Sequence, residues 1–227
     1  MILNLLTKIH KIFNYPKTRI EPKLCYEIYA KEKNPKSLNE LSKFRQNRLN
    51  WILPLIHKSS TVLDIACGDG LFLKKLEQEK QITGTACDCI ENKTLENFIK
   101  GDCSDLAFLE SLDHYDHILA LEILEHLPNS EEVILTLLKK AKHNLIFSIP
   151  NSGYITYRLR YLFGRTPAQW ISHPAEHLRF WSITDCIWWL KALGISNYKI
   201  IPYKGIKILN RIFPNIFAKG IIVEIKK

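Results

Sequence analysis

The sequence predicts an α/β fold with a mainly parallel, seven-stranded sheet and helices on both faces. From residue 61 onward, short apolar runs typical of buried strands alternate with segments at helical spacing. Strands that are separated by helices pair in parallel, and their helices cover both faces of the sheet. The seven predicted strands are "TVLDIA", "QITGTAC", "ENFIKGD", "YDHILAL", "NLIFSIP", "YKIIPY" and "GIIVEIKK".

Capping residues mark the helices between these strands. "LFLKKLEQEK" follows a glycine-containing turn, and Pro128 and Asn129, with Glu132 three positions on, precede an amphipathic run. Ser182 with Asp185 predicts the start of another helix, which Gly194 ends. Residues 151–181 interrupt the alternation, and we interpret them as a helical, aromatic-rich lid inserted after the fifth strand.

The first 57 residues form a predicted helical extension, and residues 58–227 form the main domain. Apolar residues at helical spacing indicate helices over 2–13 and 41–57, and a polar arm with three prolines lies between them. The first helix carries Lys8 and Lys11 on its polar face. It is therefore compatible with a membrane surface, although packing on its own domain or on a partner is the interpretation we favour.

The composition is that of an ordinary soluble protein of 227 residues, with 32 Lys and Arg against 23 Asp and Glu and a net charge of +9. Such a charge allows an anionic partner such as nucleic acid, or it reflects a lysine-rich, solvated surface. No apolar stretch reaches the roughly 18 residues of a membrane span, and no signal peptide is recognisable. Six irregularly spaced cysteines fit a reducing compartment, so we expect a cytoplasmic protein with free thiols.

The stretch "VLDIACGDG", residues 62–70, places two glycines directly after the first strand. In a doubly wound sheet, ligands bind at the carboxyl ends of the strands, where such a turn lies. Leu73 stands where a dinucleotide-binding G-x-G-x-x-G turn has its third glycine, and the Lys-Ser/Thr pair of a phosphate loop is absent. The turn therefore predicts a ligand that contains a nucleoside but no pyrophosphate.

"LDIACGDG" resembles motif I of class I S-adenosylmethionine-dependent methyltransferases, in which an acid precedes G-x-G. "ACDC", "KGDCSDL", "YDHILALEILEHLP" and "IFSIPN" resemble the following elements of that family in the same order. The resemblance implies a Rossmann-like class I methyltransferase fold and S-adenosylmethionine as cofactor, although Ala66 replaces a common glycine. The residues that it implies for cofactor binding are Asp64, Ala66, Cys67, Gly68, Gly70, Asp88, Asp102, Cys103, Leu121 and Glu122.

Each of the three aspartates also has a purely structural interpretation. Asp64 could tie the first turn by hydrogen bonding to the backbone, Asp88 could cap a loop, and Asp102 could cap a turn. The cysteines near the strand ends raise a similar question, because four thiolates could bind zinc. Their spacing lacks paired C-x-x-C motifs, so we interpret them as apolar pocket lining and predict no metal site.

The lid and the carboxyl-terminal part resemble a narrower group, the methionine-biosynthesis protein W (MetW-like) proteins. The matching segments are "PNSGYITYRLRYLFGRTP", "HLRFWSITDC" and "FPNIFAKGIIVEI". This resemblance implies a link to methionine biosynthesis, with a homoserine acyltransferase as partner. Three functions therefore stay open: methyl transfer to a small, anionic acceptor, an accessory role beside the acyltransferase, and methyl transfer to an RNA or a glycan.

His126 and His177 are the candidate catalytic residues, because imidazole is the commonest general base near neutral pH. Glu125 and His126 are adjacent and so point apart, and the alternative is a buried structural pair that anchors the loop after the fourth strand. His177 could instead hydrogen bond within the lid. For the acceptor we expect Asn151, Tyr154 and Arg158, since arginine recognises anions and aromatic rings stack on planar groups.

Overall fold

A computed structural model describes residues 12–25, 27–28, 41–93 and 95–227 of the chain. The predicted helix over 2–13 lies almost entirely outside these residues, and residues 14–25 contain neither helix nor strand. Seven strands are present, with these bounds: β1 Thr61–Ile65, β2 Thr83–Asp88, β3 Phe98–Lys100, β4 Tyr115–Leu121, β5 Ala141–Pro150, β6 Tyr198–Gly205 and β7 Ala218–Lys226.

The strands form one sheet in the order β3-β2-β1-β4-β5-β7-β6. The first five pair in parallel, whereas β7 is antiparallel to both β5 and β6. The strand order reverses between β1 and β4, so the ligand-binding crevice of such a sheet lies at the carboxyl ends of these strands. The predicted seven-stranded, mainly parallel sheet is confirmed.

Helices cover both faces of the sheet. Their bounds are α1 Lys43–Ile52, α2 Leu71–Lys80, α3 Leu106–Ser111, α4 Ser130–Lys140, α5 Ile155–Leu162, α6 Ile183–Ala192, α7 Leu209–Ile212 and α8 Pro214–Phe217. Successive side chains of β1 enter different cores, because Val62 packs with α1 and α2 while Leu63 packs with α3, α4 and α6. The described part of the chain contains no helix that is both long and apolar enough to cross a membrane.

Several predicted helix boundaries are confirmed and others differ. Ser182 and Asp185 form the expected capping box of α6, and Gly194 follows its end at φ 75°. The helix predicted over 41–57 ends at Ile52, because Pro54 belongs to a 3₁₀ turn at Leu53–Leu55. Asn129 precedes α4 without capping it, and its side chain donates to the Ser104 carbonyl instead.

Candidate functional site

The turn between β1 and α2 has an unusual backbone conformation. Ala66, Gly68 and Gly70 have positive φ angles of 56°, 61° and 70°. Glycine adopts this region freely, but an alanine is strained there by about 1–2 kcal/mol. The structure therefore explains why a glycine is common at position 66, and it shows that this chain forms the turn with alanine at a cost in stability.

Asp88, at the end of β2, contacts this turn directly. Its Oδ2 accepts a hydrogen bond from the Gly68 N–H at 2.9 Å, and its Oδ1 accepts one from the Ile90 N–H at 3.0 Å. The Cys67 N–H donates to the Cys87 carbonyl at 3.0 Å. The carboxyl ends of β1 and β2 are thus fastened together, and a half-buried carboxylate lies against the glycine turn.

Asp64 lies in β1 just before the turn and is almost wholly buried, with 3% of its surface exposed. Burial raises the pKa of its carboxyl to about 7, against the opposing influence of the Arg45 and Arg48 guanidinium groups. Arg45 itself pairs with Asp69 of the turn through both nitrogens, with an Nη2–Oδ1 distance of 2.6 Å. Helix α1 therefore contributes two cations to the site.

Arg48 is the second of these cations and is 6% exposed. It donates to the Ser148 Oγ at 2.8 Å and lies 3.2 Å from the Glu122 Oε1. Glu122 has a positive φ of 57°, accepts from the Ser148 hydroxyl at 2.9 Å and is approached by the Tyr203 hydroxyl at 3.5 Å. Arg45, Arg48 and Tyr203 were not predicted as part of the site, although the position of Arg48 on the buried face of α1 was a signal.

Glu122 was expected to bind the cofactor, and it lies at the carboxyl end of β4 beside half-buried Leu121. One oxygen of its carboxylate, Oε1, lies within reach of Arg48, Ser148 and Tyr203. This buried polar network connects α1, the ends of β4 and β5, and β6. It anchors the start of the loop after β4, which carries Glu125 and His126.

Asp102 and Cys103 follow β3. Asp102 is exposed, and its Oδ1 accepts from both the N–H and the hydroxyl of Ser104, at 2.8 Å each, so it caps a turn. Cys103 is buried. Burial raises the pKa of the thiols of Cys87 and Cys89 to about 12 and about 11.

The pKa values of the Cys67 and Cys103 thiols are also raised by burial. All four thiols near the strand ends are therefore less acidic than an ordinary cysteine thiol. Among the residues that the structure describes, these cysteines form no cluster with metal-binding geometry.

His126 and His177 lie together with Glu125, although the two histidines are far apart in the chain. Their rings are 4.6 Å apart between centroids and nearly perpendicular, at 84°. His126 Nδ1 lies 2.6 Å from the Glu176 carbonyl, and the Glu125 carbonyl accepts from the Leu178 N–H at 2.8 Å. Both Glu125 and His126 are buried, as a structural pair after β4 would be.

The three predicted acceptor-binding residues have different environments. Asn151 is fully buried, and its side-chain amide donates to the Ala218 carbonyl at 2.7 Å and accepts from the Gly153 N–H at 2.9 Å. That position differs from the expected substrate contact, because these bonds engage both ends of the amide. Tyr154 is half-buried at the start of α5, and exposed Arg158 donates from Nε to the Gly153 carbonyl at 2.6 Å.

The arginines of residues 151–181 all donate hydrogen bonds to other groups of the protein. Arg160 is 2% exposed and donates to the carbonyls of Ile12 and Asn14. Arg165 donates to the Phe13 carbonyl, and Arg179 pairs with Glu131 at 2.6 Å. Together with the Arg158 contact, these bonds account for all four arginines of the segment.

A cavity of about 380 Å³ lies between the amino-terminal segment and α5. Its walls combine apolar side chains with a few hydroxyl, amide and guanidinium groups, as small-molecule sites do. The residues that line it are Ile12, Asn14, Tyr15, Pro16, Thr156, Tyr157, Arg160 and Ala168. Burial raises the pKa of the Tyr157 hydroxyl in this lining, and the negative charge of Glu122 adds to the effect.

Comparison with known proteins agrees with this geometry. A model of the methyltransferase domain family matches residues 26–200, which is more than half of the chain. The chain belongs to the methyltransferase domain family. The sequence-based expectation of a class I, S-adenosylmethionine-dependent methyltransferase is thereby confirmed.

Individual relatives are more distant. The chain is 30% identical over 142 residues to a ubiquinone biosynthesis O-methyltransferase of Rickettsia bellii, covering 55% of this chain and 57% of that one. It thus spans about half the length of the curated relatives it matches.

Among solved structures, a SAM-dependent methyltransferase from Archaeoglobus fulgidus is similar, with a TM-score of 0.64 at 20% identity over 89% of this chain and 100% of that one. A magnesium protoporphyrin IX methyltransferase from Synechocystis with bound SAH is also similar, with a TM-score of 0.52 at 15% identity over 99% and 94%. At these identities the solved structures establish the fold.

Proposed function

We propose that this methyltransferase transfers the methyl group of S-adenosylmethionine to an oxygen atom of a small, hydroxyl-bearing acceptor. The observation that carries the proposal is the convergence of Asp64, the Gly68 turn and Asp88 at the switch point of the sheet. The Rickettsia relatives, which are O-methyltransferases by name, support oxygen as the acceptor atom.

The residues of the turn suit the proposed cofactor chemically. The methionine tail carries an ammonium group, and buried Asp64 offers it a carboxylate. Asp88 already accepts two backbone N–H groups and retains lone pairs for the ribose hydroxyls. A Cβ atom on Gly70 would lie 2.6 Å from the Leu95 side chain, so the turn is closely packed where a bound adenosine would approach.

Bound S-adenosylmethionine supplies an electrophilic methyl group on a sulfonium sulfur. The protein's contribution is then chiefly to hold cofactor and acceptor in line and to exclude water. We assign the acceptor to the cavity between residues 12–16 and α5, with residues 151–181 as its lid. The mixture of apolar, hydroxyl and guanidinium groups that line this cavity supports the assignment.

Calorimetric titration with S-adenosylmethionine tests the cofactor site. The unmodified chain should bind one equivalent, and Asp88→Asn should weaken binding by about 10- to 100-fold, the worth of hydrogen bonds to a charged group. Asp113→Asn is the matched control, since Asp113 is an exposed aspartate outside the site. No heat of binding to the unmodified chain, or equal affinity in both variants, would refute the proposal.

Methyl transfer from isotopically labelled cofactor to a panel of small hydroxylated compounds tests the acceptor class. Labelled, extractable product supports the proposal. Co-purification with an acyltransferase and no methylated product would instead favour the accessory role implied by the MetW-like resemblance. Labelling of RNA, with binding that falls steeply as salt increases, would favour a polymeric acceptor.

A further inference from the structure

The loop after β4 and the end of the lid segment place three metal-binding side chains together. Glu125 and His126 belong to the 3₁₀ turn Leu124–His126, and His177 follows the 3₁₀ turn Pro174–Glu176. One ligand atom from each residue lies within 4.8 Å of the others. In the part of the chain that the structure describes, no other group of three such side chains reaches this proximity.

Backbone contacts hold this cluster in place. The Glu176 carbonyl can only accept, so the His126 Nδ1, 2.6 Å away, must carry the proton and donate. The Nε2 of His126 then carries the lone pair, and it lies 3.9 Å from the Glu125 Oε1. A histidine whose other nitrogen donates to a backbone carbonyl is the arrangement that orients metal-binding imidazoles.

The backbone of Glu125 joins the two segments that supply the ligands. Its carbonyl accepts from the N–H groups of Leu178 and Arg179, at 2.8 and 3.2 Å. Residue 177 is therefore fixed opposite residue 125 even though 50 residues separate the two turns along the chain. The cluster is a built feature of the fold, and its position does not depend on the rotamers of exposed side chains.

The donor set suits a first-row transition metal ion. Two imidazoles and one carboxylate are the protein ligands of many catalytic zinc sites, which keep a fourth position open. A tetrahedral zinc ion with bonds of about 2.0–2.1 Å places its ligand atoms about 3.4 Å apart. The separations here, up to 4.8 Å, therefore require only small side-chain rotations to close around an ion.

We propose that Glu125, His126 and His177 bind a divalent transition metal ion, with zinc the ion that the donors fit best. The site lies three residues beyond Glu122, so the ion would sit near the carboxyl end of β4 with one position open for an oxygen or nitrogen donor. Binding requires a deprotonated carboxylate and neutral imidazoles. His126 and His177 then act as metal ligands, which replaces the general-base role predicted from the sequence.

Cobalt(II) titration of the chelator-treated full chain tests the site without measuring methyl transfer. We expect one equivalent to produce the visible absorption bands of a four-coordinate, nitrogen- and oxygen-ligated ion, and zinc to displace it. Loss of a ligand in His177→Ala should weaken binding by more than about 100-fold, exceeding the 10–100-fold cost of removing an outer-shell partner. His114→Ala, which removes an exposed histidine outside the cluster, should bind cobalt normally.

A second variant and a second measurement guard against misfolding. Glu125→Gln keeps the size of the side chain, and zinc should raise the melting temperature of the unmodified chain but not of Glu125→Gln or His177→Ala. No visible cobalt bands, unchanged affinity in His177→Ala, or an intense near-ultraviolet sulfur-to-cobalt band would overturn the proposal. Cofactor titration of the same samples distinguishes this failure from failure of the proposed function.

Discussion

Asp64 should make cofactor binding depend on pH. Burial raises the pKa of its carboxyl to about 7 in the free protein. The ammonium group of S-adenosylmethionine requires an acceptor, so binding selects the ionised carboxylate and releases its proton. Well below the pKa, each further pH unit lowers the fraction of protein with an ionised Asp64 about tenfold. The dissociation constant of the cofactor should therefore rise about 50-fold from about pH 7 to about pH 5.

Calorimetry in buffers of different ionisation enthalpy measures both the affinity and the proton release. Below pH 7 the amino group of the cofactor stays protonated, because α-amino groups titrate near about 7.7–8.0. Asp64→Asn should bind weakly at every pH and release no proton. A pH-independent dissociation constant for the unmodified chain, or the same slope in Asp64→Asn, would refute the reasoning.

The raised pKa of Asp64 also predicts that the stability of the fold changes with pH in the opposite direction to cofactor binding. Its folded-state pKa lies above the ordinary value, so the folded chain binds more protons than the unfolded chain between about pH 4 and about pH 7. That contribution stabilises the fold at low pH and is lost as the pH rises through about 7. Asp64→Asn should therefore raise the free energy of unfolding above pH 7 while impairing cofactor binding.

Three further perturbations test the surroundings of the site. Arg48→Met leaves the Glu122 carboxylate uncompensated and should lower the free energy of unfolding by about 3–5 kcal/mol in urea denaturation, and an unchanged midpoint would contradict the network. Ala66→Gly relieves a φ of 56° and should raise that free energy by about 1 kcal/mol. The control variant Ala86→Gly, within β2, should lower the free energy of unfolding. If Ala66→Gly also lowered it, strain at position 66 would be contradicted. Finally, burial lowers the pKa of His117, whose Nε2 accepts from the His57 N–H at 3.1 Å. Protonation of His117 therefore favours the unfolded chain, so the melting temperature should decrease as the pH is lowered below about 6.5. An equally steep decrease in His117→Gln would contradict this origin.

The sheet was predictable because buried parallel strands leave unmistakable apolar runs between helical segments. Helix α3, at Leu106–Ser111, escaped prediction because six residues are too few to establish a helical period. Trp51 lies within the segment 41–57 that was predicted as a helix from its apolar spacing, but its side chain is 46% exposed. A stripe of large side chains marks the direction of a helix face only approximately, and tertiary packing decides its edges.

The glycine turn and the aspartates around it could be located from the sequence, since strand ends of a parallel sheet meet at one edge. The partners of these groups could not. Arg45 and Arg48 reach the site from a helix that precedes the sheet, and only the tertiary fold brings Arg45 against Asp69. For the same reason, nothing local revealed that Arg160 would bind the backbone of residues 12 and 14.

The contact between Arg48 and Glu122 also orders events during synthesis of the chain. Arg48 leaves the ribosome before any strand of the sheet, whereas Ser148 and Tyr203, which share the Glu122 carboxylate, belong to β5 and β6. β7 follows both of these strands in the sequence, yet it lies between them in the sheet. The hydrogen-bond network around Glu122 is therefore complete only after β6, which contributes Tyr203, has been made.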